Sequence, residues 1–313
     1  MSQGRGGRVN GQAGEDRGGV HEDDVARRLE AGDPDGEHLA SARRAPGAAD
    51  SKAKSREALT VKIGLQLYTL RDALAENFRV GLRRVSALGY QGVEFAGYGG
   101  LEAEELGMLT RALGLSPVSS HVSIDQLDAH LADELDYAVT AGLAHVVCPW
   151  LPAARRANAG EYRATARLLN EIGVACQARG LQFGYHNHAV ELETQVGNVP
   201  ALEFLLAETD PALVNIEFDV YWIQYAGMSP SDWIQRYAGR CPLLHIKDMD
   251  PNDRSFREVG QGSLDMKAIV AAARTADSSW LFVEQDECRQ NPWVSVTQSL
   301  AYLQALAGGA PEP

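Results

Sequence analysis

From residue 62 to about 306 the chain alternates short apolar runs with amphipathic stretches of helical period. The runs are KIGLQLYTL (Lys62–Leu70), GVEFAG (Gly92–Gly97), PVSSHVS (Pro117–Ser123), HVVCPWL (His145–Leu151), LQFGYHNH (Leu181–His188), VNIEFDVYW (Val214–Trp222), PLLHIKD (Pro242–Asp248) and WLFVEQD (Trp280–Asp286). Apolar runs of this length between polar loops read as buried parallel strands. Between them, Phe78, Leu82, Val85 and Leu88 recur at helical spacing before a stop at Gly89. Further helices are predicted over 102–114, 124–141, 161–179, 201–208, 231–237, 266–275 and 294–306. Eight strand-helix units in strict alternation predict an α/β fold, a (β/α)8 TIM barrel spanning 61–308. An open doubly wound sheet would want a glycine-rich phosphate turn early on, and the GYGG stretch at Gly97–Gly100 lacks the GxGxxG spacing. Residues 1–58 contain few aromatic or β-branched residues. They are expected to be a disordered extension, with Val61 a candidate for the true start and 309–313 a short tail.

Four of the apolar runs end in ionisable groups. A buried strand has no stability reason to finish in His, Asp or Glu, because an unpartnered buried charge costs several kcal/mol, of order 3–5 when one partner of a pair is missing. With period two, His186 and His188 share a face, as do Glu217 and Asp219, His245 and Lys247, and Glu284 and Asp286. Imidazole nitrogens and carboxylate oxygens converging from neighbouring strand ends have the composition of a divalent metal site.

Composition narrows the partners. The formal net charge is -13, and nearly all of it lies beyond residue 60. A surface that acidic repels phosphate backbones, which speaks against nucleic acid. No apolar run reaches the roughly 18 to 20 residues needed to span a bilayer. The four cysteines (Cys148, Cys176, Cys241, Cys288) are widely spaced, as expected of reduced thiols in a cytoplasmic protein. Self-association is left open.

The motifs GLQLYTLR (Gly64–Arg71), GYQGVEF (Gly89–Phe95), YHNH (Tyr185–His188), FDVYW (Phe218–Trp222), HIKD (His245–Asp248), VGQGSLD (Val259–Asp265) and EQD (Glu284–Asp286) follow one another along the chain. In content and order they resemble the sugar phosphate isomerase/epimerase group of the xylose isomerase-like barrels. The resemblance implies one divalent metal held by Glu, Asp, His and Glu from strands 5 to 8. Asp219, His245 and Glu284 match the last three, and His186 falls where many relatives have the first glutamate. Nitrogen-rich ligation of that kind favours Mn, Zn, Co or Fe over Mg. It also removes one of the two carboxylate bases of the epimerases.

The activity so implied is isomerisation or epimerisation of a small sugar or polyol, by proton abstraction next to a carbonyl through an enediolate. Glu284 is the candidate base, with Lys247 and His186 as the other proton-transfer groups. Glu94, His121, His188, Glu191, Trp222 and Arg257 are candidate substrate contacts. The alternative is a lyase of the same fold, similar to an inosose dehydratase or to an enzyme that eliminates the aglycone of a 3-keto-glycoside. An apurinic endonuclease with three zinc ions would want Asp-x-x-His on strand 6, whereas Asp219 is followed at plus three by Trp222. A non-catalytic sugar-binding barrel would hold no metal.

Overall fold

The computed structural model describes residues 61–308. The extension expected over 1–58 and the tail over 309–313 lie outside the described residues. Eight parallel strands close into a barrel: β1 (Lys62–Gln66), β2 (Gly92–Phe95), β3 (Ser116–His121), β4 (His145–Cys148), β5 (Gln182–His186), β6 (Val214–Asp219), β7 (Leu243–Ile246) and β8 (Trp280–Val283). Each strand pairs with its sequence neighbour, and β8 closes on β1 with Lys62 opposite Trp280. The helices between them pack their apolar faces outside the sheet, giving the expected (β/α)8 architecture.

Helix boundaries follow local chemistry. Ser123 caps the helix Ile124–Ala141 by accepting from Gln126 N, and Gly142 ends it in the left-handed conformation. Asn77, Asn158, Ser229 and Asp265 cap others in the same way.

The strands are shorter than the apolar runs that announced them. The run from Lys62 leaves the sheet after Gln66, whose side chain accepts from Tyr68 N and starts a 3-10 turn over Leu67–Leu70. The run from Val214 leaves it at Asp219, whose Oδ1 accepts from Tyr221 N and Trp222 N and caps the helix Val220–Tyr225. Lys247, Glu284 and Asp286 likewise lie just past their strands. They reach the mouth of the barrel from loops, not by strand alternation.

The barrel interior is filled in two tiers. At the bottom Val118, Val147, Leu243, Trp280 and Phe282 form a separate apolar plug. Gly92 makes room for it, since a Cβ there would lie 2.7 Å from the Trp280 ring and 2.8 Å from Val118. Above the plug the inward side chains turn polar. Among the described residues no helix is long and apolar enough to cross a membrane.

Candidate active site

The polar tier begins with a buried floor. Glu94 on β2 and Glu217 on β6 are fully or almost fully buried, and they face His121 from β3, His186 from β5 and His245 from β7. One oxygen, Glu217 Oε2, lies 2.8 Å from His121 Nε2, 3.1 Å from His186 Nδ1 and 3.2 Å from His245 Nε2. Glu94 Oε2 accepts from Gln66 Nε2 at 2.7 Å and lies 2.5 Å from His245 Nε2. Burial pushes the Glu217 carboxyl up, but the charge of His245 and the hydrogen bonds from three imidazoles outweigh it and hold Glu217 well below the usual range. Glu94 is raised, by burial first and by the like charge of Glu217 second. Burial lowers His245, yet Glu217, Glu94 and Glu284 together hold it well above an ordinary imidazole. His186 is driven well below by burial and by His245.

Over this floor stands a second set of charges. Because Asp219 Oδ1 is spent on the helix cap, only Oδ2 faces the centre, 3.0 Å from Lys247 Nζ and 3.7 Å from His186 Nε2. Glu284 Oε2 lies 2.8 Å from His245 Nδ1 and 2.6 Å from Lys247 Nζ. Asp286 receives the same ammonium at 3.0 and 3.1 Å. Burial would lower Lys247, but Asp219, Glu284 and Asp286 outweigh it and keep the amine charged. Burial lifts Asp219 to about 6. The loop after β8 is pinned to the segment that follows β1: Gln285 N donates to Thr69 Oγ1, and Arg71 Nη1 donates to the Asp286 carbonyl. Beside it opens a cavity of about 260 Å³ lined by Thr69, Arg71, Asp286 and Gln290, among others.

An aromatic wall bounds one side. The Trp222 ring lies 5.5 Å from the His188 ring, and Lys247 Nζ sits 5.9 Å from the Trp222 ring and 5.8 Å from Phe256. Trp222 Nε1 and His188 Nδ1 are buried without a hydrogen-bond partner in the protein.

The donors fit a divalent cation. One ligand atom from each of Asp219, His245 and Glu284 lies within 4.8 Å of the others, and the same holds for His121, His186, Glu217 and His245. Asp219 Oδ2 is buried and accepts no hydrogen bond, with the Lys247 ammonium 3.0 Å away as its charged neighbour; the lone pairs left over are available to a divalent cation.

Comparison with known proteins agrees with this fold. The family model for the xylose isomerase-like TIM barrel matches residues 82–306. The chain belongs to that family. Among solved structures it is similar to a sugar phosphate isomerase/epimerase from Parabacteroides distasonis, with 26% identity and a TM-score of 0.69 over 82% of this chain and 96% of that one. It shares its fold with the IOLI protein, whose structure holds a zinc atom, at 13% identity and a TM-score of 0.65 over 81% and 100% of the two chains. Among curated proteins it is 26% identical to the inosose dehydratase of Clostridium beijerinckii over 171 residues, 48% of this chain and 56% of that protein. The match thus spans about half the length of these curated relatives. Homologues and structural neighbours of this xylose isomerase-like chain thus include sugar isomerases, epimerases and inosose dehydratases.

Most residues singled out in the sequence converge on the barrel mouth, and others lie beneath or beside it. Asp219, His245, Glu284, His186 and Lys247 meet, with His188 and Trp222 beside them. Glu94, a candidate substrate contact, lies in the floor at 0% exposure. His121 also points into the floor, 3.2 Å from Glu94 and 2.8 Å from Glu217. Glu191 is fully buried: Oε1 accepts from Tyr185 OH at 2.8 Å and Oε2 from His188 N at 3.0 Å. It holds the YHNH turn in shape. Arg257 sits on a hairpin (Asp248–Met249 with Phe256–Arg257), with its guanidinium 3.9 Å from Asp250. Glu217 was noted in the sequence only for sharing a face with Asp219, and Asp286 only as part of the EQD motif and for sharing a face with Glu284, yet one contacts three imidazoles and the other the Lys247 ammonium. The motif residue Asp248 organises the loop after β7, accepting from the backbone N–H groups of Met249, Gly260, Gly262 and Leu264. A Cβ on Gly262 would overlap its carboxylate.

Proposed function

We propose that the chain is a metal-dependent lyase acting on a small keto-polyol or keto-sugar, removing the proton α to the carbonyl and expelling the β-hydroxyl. The observation that carries this reading is the contact of Lys247 Nζ with Glu284 Oε2 at 2.6 Å, a carboxylate and an ammonium in place of two opposed carboxylates. The first position of the ligand set is His186, so the symmetric two-base arrangement suited to epimerisation is incomplete. A base beside an acid suits elimination instead. Similarity to inosose dehydratases supports the same reading.

Glu284 is ionised at neutral pH: burial would raise it, but Lys247 and His245 hold it well below the usual carboxylate range. It takes the α-proton, and the electrons of that bond pass reversibly to the carbonyl oxygen of the substrate as an enolate, from which they return to form the new carbon-carbon double bond. The C–O bond to the β-hydroxyl breaks, and Lys247 gives that oxygen a proton, so the hydroxyl leaves as water. The proton on Glu284 then returns to the neutral lysine across the same contact, restoring both groups. Asp219, His245, Glu284 and His186 would hold a divalent cation, which when bound supplies Lewis-acid polarisation of the substrate carbonyl. Trp222 and His188 orient the ring through stacking and their free N–H and nitrogen groups. The partner is thus a small molecule.

A second reading, isomerisation or epimerisation, is favoured by the likeness to the Parabacteroides protein over 96% of its chain. Incubation of the manganese- or cobalt-loaded protein with inososes, 3-keto-glycosides and ketoses in deuterated water separates the two. Elimination gives an ultraviolet-absorbing enone or enol. Isomeric product carrying deuterium without absorbance would shift the assignment to an isomerase or epimerase. Absence of exchange with every substrate would sink both.

A further inference from the structure

The floor beneath the charged centre contains a device that the reading above does not use. A neutral imidazole carries one N–H, and a ring nitrogen set against an ionised carboxylate holds that proton, leaving the other nitrogen as a lone pair. His245 is held from behind by Glu94, at 2.5 Å from Nε2, and Glu94 is itself fixed by Gln66. His186 is held from behind by Glu217, at 3.1 Å from Nδ1. The opposite nitrogen, His186 Nε2, faces Asp219 Oδ2 at 3.7 Å, too long for a hydrogen bond and on the side where Asp219 Oδ2 has no hydrogen-bond partner.

We infer that Glu217 is a positioning residue that makes His186 a metal ligand. By keeping the proton on Nδ1 it presents the Nε2 lone pair toward Asp219, and it lends the imidazole the negative charge of a carboxylate placed one layer deeper. The inference rests on the metal reading of the site and goes beyond it by assigning the donor atom and the residue that selects it. The same carboxylate also holds His121, at 2.8 Å, and His245, at 3.2 Å. It lies in the floor beneath the charged centre, with Oε2 enclosed by the three imidazole nitrogens. Carboxylate-histidine-metal chains of this kind fix both ring orientation and tautomer, and loss of the carboxylate costs about 10- to 100-fold in metal affinity.

The test uses Co²⁺ and Zn²⁺ as probes, with affinity from chelator competition and the ligand-field spectrum of bound Co²⁺ as a second readout. Wild type, Glu217→Gln, His186→Ala and the double variant are compared, each checked for folding by its circular dichroism melt without metal. The expected result is a 10- to 100-fold loss and a shifted Co²⁺ spectrum in Glu217→Gln. Glu217→Gln should cost less in the His186→Ala background than in the wild type, since the larger part of its effect passes through that ring and only the remainder through His245, 3.2 Å away. Unchanged affinity and spectrum in Glu217→Gln, or the same loss with and without His186, overturns the positioning role while leaving the metal site intact. A wild-type chain that takes up neither ion overturns both the inference and the metal reading beneath it.

Discussion

Replacing Lys247 by Met removes the only ammonium among the carboxylates described at the mouth. Its Nζ lies 3.0 Å from Asp219 Oδ2, 2.6 Å from Glu284 Oε2, and 3.0 and 3.1 Å from the two oxygens of Asp286. The lysine is 2% exposed, so solvent cannot screen the charges left behind. Deleting one partner of a buried ionic cluster costs about 3–5 kcal/mol. Urea denaturation of the metal-free variant should show a loss in that range, and Lys247→Arg should recover much of it. Because the lysine pKa is raised, its contribution is fully present below the unfolded value near 10.4, and the loss should be constant across neutral pH. The catalytic signature is more specific. Glu284 remains to remove the α-proton, whereas departure of the hydroxyl loses its acid, worth roughly 10²- to 10⁴-fold. Lys247→Met should therefore still exchange the α-proton with deuterated water while elimination collapses. Equal loss of exchange and elimination, or an unchanged denaturation midpoint, would refute the role given to Lys247.

Two further predictions follow from the same geometry. Asp248→Ala leaves four backbone N–H groups without their acceptor; at about 1–3 kcal/mol for a buried unsatisfied group, a loss of about 3 kcal/mol or more is expected by urea denaturation, with Asp248→Asn milder. Burial pushes His145, at the start of β4, down to about 4 from 6.5, so stability is intact above pH 6.5 and falls as the pH drops toward 4, by about 3 kcal/mol in all. Denaturation midpoints in His145→Gln should be flatter over that window.

The barrel was legible because alternation of strand and helix is a long-range pattern repeated eight times. Helices such as Ile124–Ala141, Ala201–Glu208 and Met266–Thr275 begin and end where the sequence placed them. Strand ends were less legible, because Val, Tyr, Trp and Ile after Asp219 favour a strand by propensity. What ends β6 is the Asp219 carboxylate capping the next helix, a local hydrogen bond that hydropathy does not register. The metal-ligand candidates stood out as charges at the ends of apolar runs. The role of Glu217 did not, since its partners His121 and His186 lie 96 and 31 residues away in sequence and meet it only across the closed barrel. Glu191, an acid just past YHNH, is held by a local contact: it lies three residues from His188 and accepts from the His188 backbone N–H.

The account turns on a divalent cation at the mouth of the barrel. Elemental analysis of the purified protein, beside an Asp219→Ala, His245→Ala double variant, tests it most directly. The account predicts about one Mn, Zn, Co or Fe per chain in the wild type and none in the variant. No metal in either protein after incubation with each ion, or equal metal in both, would contradict it.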